Sequence, residues 1–153
     1  IEPAQRPQVV HQCGKQHLLM AREAYEQAGV RAEVEAFIAD MAGAYAWADL
    51  VICRAGALTV CELAAAGRPS LLIPLPHAID DHQTANARYL ADRGAAGLMP
   101  QAQLDDEQLA NTLINYMNNP ELLQQMAERA REQATPNATA DVVRACLEVA
   151  REH

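Results

Sequence analysis

The 153-residue chain is long enough for one ordinary domain with its own hydrophobic core, and half of its residues are hydrophobic. Its 12 Lys and Arg residues against 20 Asp and Glu residues give a net charge of −8. That charge argues against nucleic-acid partners, because phosphate neutralisation needs clustered basic side chains, and against adsorption to anionic lipid by charge alone. No apolar run approaches the roughly 20 residues that a membrane span needs.

The four cysteines also limit the class of protein. No two of them form a CxxC pair, and no His lies at a zinc-site spacing from any of them. We therefore expect reduced, mostly buried thiols of a cytosolic protein at Cys13, Cys53, Cys61 and Cys146.

Short segments that are apolar, or in which polar and apolar residues alternate, are followed along the chain by segments of helical periodicity. In chain order they predict strand Gln8–Cys13, a helix from Gly14 to about Ala28, strand Ala32–Phe37, helix Met41–Ala48, strand Asp49–Cys53, helix Leu58–Ala66, strand Pro69–Pro74, helix Asp81–Arg93, strand Gly97–Met99 and three final helices. The runs Asp49–Cys53 and Pro69–Pro74 are largely apolar, which predicts strands covered on both faces. Gly29, Gly67 and Gly94 follow directly after helices and predict where those helices end.

This alternation of strand and helix predicts an α/β fold, a Rossmann-like parallel sheet with right-handed crossovers and helices on both faces. In such sheets, ligands bind at the carboxyl ends of the strands. The loops after Phe37, Cys53 and Ile73 are therefore the expected positions of a binding site.

The segment Arg54–Glu62 (RAGALTVCE) follows a predicted strand and turns into a helix. The first amides of a helix have no intrahelical acceptor and carry the positive end of the helix dipole, which suits a diphosphate. Gly56 lacks a Cβ that would block a close ligand, and Thr59 adds a hydroxyl. Glu62, one turn later, is suited to accept hydrogen bonds from a ribose diol. On spacing alone, a plain β–α turn with a solvated Glu is an equal alternative.

A second segment, Phe37–Met41 (FIADM), also follows a predicted strand. Phe37, Ile38 and Met41 are suited to cover a flat base, and the backbone of Ile38 to pair with its edge. By itself, the segment is better explained as ordinary core for a short helix.

A third segment, Pro74–Asn86 (PLPHAIDDHQTAN), combines a proline-containing loop with the start of a helix that Asp80 or Asp81 caps. Amide side chains both donate and accept, so Gln83 and Asn86 suit sugar hydroxyls. The cluster His77, Asp80, Asp81 and His82 is a metal-binding alternative, but no metal-site geometry follows from the sequence. The only serine, Ser70, has no GxSxG context, so no nucleophile is predicted.

Together and in this order, the three segments resemble the MurG family of bacterial UDP-GlcNAc transferases. The resemblance rests on RAGALTxxE followed by AAGxPxLLIPxPHAxxxHQxxNA and covers essentially the whole chain. It implies the C-terminal half of a GT-B fold and an inverting transfer of GlcNAc, without a metal or another cofactor. The implied acceptor is an undecaprenyl-diphosphate muramoyl-pentapeptide, so that lipid I becomes lipid II in peptidoglycan synthesis at the cytoplasmic face of the bacterial inner membrane.

The resemblance also implies roles for individual residues. Ile38 would contact uracil beside Met41, Glu62 would hold the ribose, and Gln83 and Asn86 would hold GlcNAc. The diphosphate would be lined by Gly56, Ala57, Leu58 and Thr59. For two positions, the resemblance leaves the role open. Some family members carry Gln in place of His82, and Arg54 either touches the diphosphate or supports its loop.

The chain also departs from the family pattern. Family members begin with another Rossmann-like domain that carries a glycine-rich motif and a His thought to act in catalysis, and they open the donor domain with a strand and a GGS-type loop. The chain contains no match to these parts, so the general base, the lipid acceptor site and the membrane contact are expected in an N-terminal domain of the same protein. Without the first strand, we expect two unpaired strand edges and an inactive, marginally stable chain.

Two alternatives belong to different classes of protein. A UDP-GlcNAc 2-epimerase shares this architecture and donor, but no set of acidic and His residues is evident for the sugar C2. A non-catalytic donor-binding subunit that works with a partner chain is the other alternative.

Overall fold

The computed structural model of the chain describes residues 1–76 and 81–151. By their contacts, the residues divide into a first unit, Ile1–Trp47, and a second unit, Ala48–His153. Among the helices of the described ranges, none combines the length and the apolar character that crossing a bilayer requires.

The first unit contains a two-stranded parallel sheet. Its elements are β1 (Val9–Gln12), α1 (Leu18–Gln27, after a 3-10 turn at Lys15–His17), β2 (Ala32–Glu35) and α2 (Met41–Trp47). The strands pair in parallel from Val9 opposite Ala32 to Gln12 opposite Glu35, with α1 as the crossover that a parallel pair needs. Their carboxyl ends therefore lie side by side, at Gln12 and Glu35.

Side-chain hydrogen bonds hold α1 to this sheet. The Arg22 guanidinium donates to the carbonyl of Val34 at 2.9 Å, and the Tyr25 ring meets His11 edge to face, with its hydroxyl 3.3 Å from Nδ1. Val34 is the only buried residue among those described in this unit. The first unit therefore buries little apolar surface of its own.

The second unit contains a three-stranded parallel sheet in the order β3-β4-β5. Its elements are β3 (Val51–Cys53), α3 (Ala57–Ala66), β4 (Ser70–Leu72), α4 (His82–Ala91), β5 (Ala96–Leu98), α5 (Asp106–Asn118), α6 (Pro120–Glu132) and α7 (Ala138–Arg151). Helix α3 packs against α4 and α6. Leu63 of α3, Leu71 and Leu72 of β4 and Leu90 of α4 are fully buried and form the centre of the core.

The α/β class with parallel strands and flanking helices is confirmed, but the strands form two sheets instead of one. Within the described part of the chain, β1 pairs only with β2, and β3 pairs only with β4. Both β1 and β3 therefore keep one unpaired edge, as expected. The prediction that Asp49–Cys53 is covered on both faces is wrong, because Ile52 of β3 is 42% exposed. As an edge strand of its sheet, β3 has one neighbour and an incompletely covered surface.

The prediction of mostly buried cysteines is also wrong. Cys61 is exposed on α3, and Cys146 is exposed on α7, a helix without buried residues, while Cys13 and Cys53 are partly buried. All four are free thiols, as predicted.

Arg131 of α6 holds the end of α3 in place. Its guanidinium donates to the carbonyls of Ala65 and, at 3.2 Å, of Ala66. These are carbonyls of the last helical turn, which lack intrahelical donors and carry the negative end of the helix dipole. Gly67 then ends the helix in the left-handed region, at φ 60°, as the sequence predicts.

We expect Arg131→Ala to lower the free energy of unfolding by about 1 kcal/mol, because the last carbonyls of α3 lose a charged donor. Urea denaturation measures this change. Arg31→Ala serves as the control, because Arg31 is exposed outside the helices and its replacement should change stability by less than about 0.5 kcal/mol. Equal stability of the two variants would contradict the proposed role of Arg131 in holding α3.

Candidate functional site

The N-terminus of α3 is the main feature of the second unit at the carboxyl end of β3. The turn Arg54–Gly56 leads directly from β3 into the helix, and Gly56 is its N-cap in an extended conformation, without a side-chain capping bond. Ala57 and Leu58 of the first turn are exposed, and the side chain of Leu58 is 80% exposed. The uncapped amides of this turn therefore open toward solvent, with the positive end of the helix dipole behind them.

Gly56 itself is not required by the fold. Its φ is −64°, and a Cβ added there would meet only the Thr59 hydroxyl, at 3.6 Å. The protein thus leaves open space on the side of the backbone from which a ligand would approach.

Arg54 connects the ends of two neighbouring strands. Its Nη1 donates to the carbonyls of Ile73 and Pro74, at 3.2 Å each, which lie directly after β4. Of the two roles open to Arg54 from the sequence, the structure shows support of the loop.

The side chains of Gln83 and Asn86 reach the same loops from the first turns of α4. The Gln83 side-chain oxygen accepts from the backbone N–H of Leu75 at 3.0 Å. The Asn86 amide donates to the carbonyl of Ala55 at 3.1 Å, and Ala55 is fully buried. The structure therefore brings Asn86 to the turn before α3 and Gln83 to the loop after β4.

Glu62 stands one helical turn beyond Thr59, which places the two side chains on one face of α3. Burial and, to a smaller extent, the negative charge of Glu62 together raise the pKa of the Cys53 thiol to about 11. The carboxylate of Glu62 therefore acts on the end of β3, at the same edge of the sheet as the turn before α3.

In the first unit, the structure adds a residue that the sequence did not single out. The backbone N–H of Ile38 donates to the side-chain oxygen of Gln12, the last residue of β1, at 2.8 Å. Phe37 beside it is 72% exposed, and Met41 begins α2 and is half-buried. In the sequence, Gln12 is only a polar residue near the carboxyl end of a predicted strand. Its contact with Ile38 can be recognised only when the strand register is known.

Of the two residues predicted to cap α4, Asp81 does not cap it, and Asp80 lies outside the described residues. Asp81 precedes α4 with φ 50°, in the left-handed region, and its side chain makes no capping bond, whereas side-chain capping normally requires an extended residue. His82 begins α4 and is exposed. His77 and Asp80 of the metal-binding alternative lie outside the described residues. Within the described ranges, no group of three or more His, Cys, Asp and Glu side chains is arranged to hold a metal ion.

Comparison with known proteins identifies the family. The family model described as the glycosyltransferase family 28 C-terminal domain matches residues 2–142. The chain belongs to glycosyltransferase family 28. A curated relative from Stutzerimonas stutzeri (strain A1501) is 64% identical over 145 residues, which are 95% of this chain and 41% of the relative. Its name is UDP-N-acetylglucosamine--N-acetylmuramyl-(pentapeptide) pyrophosphoryl-undecaprenol N-acetylglucosamine transferase.

A second relative with the same name, from Pseudomonas putida (strain KT2440), is 62% identical over 150 residues, which are 98% of this chain and 42% of the relative. Among solved structures, the crystal structure of Acinetobacter baumannii MurG matches with a TM-score of 0.84 at 48% identity, over 92% of this chain and 41% of that one. The resemblance read from the sequence is thus confirmed. This family 28 chain spans about two fifths of the length of the curated relatives it matches.

We expect Cys53 of this family 28 chain to react with iodoacetamide much more slowly than Cys61 near pH ~8, because its raised pKa leaves almost no thiolate. Mass spectrometry of the alkylated peptides measures both rates. Glu62→Gln should speed the reaction of Cys53, since removing the nearby negative charge lowers its pKa. Glu148→Gln on the exposed α7 is the control. Equal rates for Cys53 and Cys61 in the folded chain would contradict this prediction.

Proposed function

We propose that this chain is the donor-binding part of an inverting N-acetylglucosaminyltransferase that makes lipid II from UDP-GlcNAc and lipid I. The observation that carries the proposal is the exposed, uncapped N-terminus of α3 directly after the turn Arg54–Gly56, next to Gln83 and Asn86. The transferase name of relatives 62–64% identical supports the same reading.

The N-terminus of α3 would bind the diphosphate. The amides of Ala57, Leu58 and Thr59 point out of the first turn, where a helix favours negative charge by its dipole and by its unpaired donors. As the glycosidic bond breaks, the charge on the leaving UDP grows, so these fixed donors would stabilise the transition state more than the bound donor. Gly56 would leave room for the close approach of the phosphates.

Glu62 would hold the ribose, and Gln83 and Asn86 the GlcNAc. A carboxylate is an acceptor only, which fits a pair of ribose hydroxyls better than a phosphate. Gln83 uses its oxygen on Leu75 and still carries its NH₂, while Asn86 uses its NH₂ on Ala55 and still carries its oxygen. The two amides would therefore offer the sugar one donor and one acceptor. His82, exposed at the start of α4, would be near the same sugar.

The uracil base would be bound by the first unit. Ile38 offers a main-chain N–H, and the exposed ring of Phe37 next to it is suited to contact a flat base, with Met41 at the start of α2. We propose that the general base, the lipid acceptor site and the contact with the cytoplasmic face of the bacterial inner membrane belong to an N-terminal domain of the same protein. Alone, the chain would bind the donor without transferring GlcNAc.

We expect Glu62→Ala to weaken binding of UDP-GlcNAc by roughly 10- to 100-fold, because the ribose loses hydrogen bonds to a charged acceptor. Isothermal titration calorimetry of the chain measures this loss. Glu148→Ala, an equal change of charge on the exposed α7, should leave the affinity unchanged. An unaltered affinity in Glu62→Ala would refute the ribose assignment, and no binding by the unmodified chain would refute the proposed function.

We also expect the affinity for UDP-GlcNAc to be the same with and without a metal chelator, because backbone amides of α3 supply the positive potential that a divalent cation supplies elsewhere. Paired calorimetric titrations in chelator and in Mg²⁺ measure it. A clear loss of affinity in chelator would show that a cation takes part in diphosphate binding.

A further inference from the structure

The contact between Gln12 and Ile38 joins residues 26 positions apart in the sequence. Gln12 ends β1, and Ile38 follows β2, whose last residue, Glu35, lies opposite Gln12 in the parallel register. The side-chain oxygen of Gln12 accepts the Ile38 N–H at 2.8 Å, which is a short distance for an N–H···O bond. Gln12 is exposed, so the contact is not needed to satisfy a buried group.

The same N–H is the donor that the proposed function assigns to the uracil base. One N–H makes one well-aligned hydrogen bond, so a carbonyl of the base and the carbonyl of Gln12 cannot both hold it in good geometry. The side-chain amide of Gln and an edge of uracil also present the same chemistry, a carbonyl acceptor next to an N–H donor. Gln12 therefore occupies the position that a nucleobase carbonyl would need.

We propose that Gln12 is a latch on the base site: its side-chain carbonyl holds the Ile38 N–H until a uracil carbonyl displaces it. The proposal rests on the proposed function. Because Gln12 is an exposed side chain with several rotatable bonds, it leaves without a rearrangement of β1. A base that presents an amino group at this place cannot replace the latch, because two donors would then face each other.

The latch lowers the affinity for a uracil nucleotide by the strength of the bond that must first break. For an exposed neutral hydrogen bond, that corresponds to a factor of about 2 to 10. The effect must depend on the base, because the diphosphate contacts assigned to Ala57, Leu58 and Thr59 do not involve Gln12.

The experiment titrates the unmodified chain and three variants with UDP and with inorganic pyrophosphate, followed by NMR of the backbone amides. Gln12→Ala removes the side-chain carbonyl, and Gln12→Met removes it while keeping the length of the side chain. Gln16→Ala is the matched control, because Gln16 is an exposed glutamine of the same unit. In both Gln12 variants, we expect UDP to bind about 2 to 10 times more tightly and pyrophosphate to bind unchanged, with no change in Gln16→Ala.

Three results would decide against the latch. UDP affinity that is equal or weaker in both Gln12 variants overturns it, while binding of UDP to the unmodified chain leaves the proposed function standing. An equal gain for UDP and pyrophosphate also overturns it, because the effect is then not directed at the base. If the unmodified chain does not bind UDP, the proposed function fails and the latch fails with it.

Discussion

The parallel pairing of β3 with β4 is the constraint on which the rest of the second unit depends. Val51 lies opposite Ser70, and the N–H of Ile73 donates to the carbonyl of Cys53 at 2.9 Å, so the two strands end side by side. Only because of this register does the Arg54 guanidinium reach the carbonyls after β4. The same rule acts in the first unit, where the aligned ends of β1 and β2 bring Gln12 to Ile38. Parallel pairing thus turns loops distant in sequence into neighbours.

The polar side chains near α3 stabilise the loops as well as suiting a ligand. Asn86 satisfies the carbonyl of the fully buried Ala55, which would otherwise lose a hydrogen bond away from water. Replacing Asn86 would therefore change the turn before α3 together with any sugar contact. Glu62 is exposed on α3 and carries an acceptor instead of a donor, so its replacement leaves no buried carbonyl without a donor.

The division into two sheets follows from which strands have partners. Each of β1 and β3 has one neighbour within the described residues, and Ile52 on β3 is correspondingly exposed. An unpaired edge presents backbone donors and acceptors that another strand can use. The chain spans about two fifths of the curated relatives that it matches, and the first unit buries only Val34. Among the described strands, such edges occur on β1, β2, β3 and β5, and the first unit adds little buried surface to stabilise its own two strands.

The sequence by itself determined the order and type of the elements, because apolar periodicity and glycines such as Gly67 act locally. It also identified the family, through linked motifs such as RAGALTVCE that no single turn would make specific. Tertiary structure alone decided which groups each side chain reaches: Arg54 supports a loop, Asp81 fails to cap α4, and Ile52 stays exposed. Gln12 belongs to the same set. The physical reason is that hydrogen bonds and burial depend on strand register and on neighbours far away in the chain, which no local pattern of residues encodes.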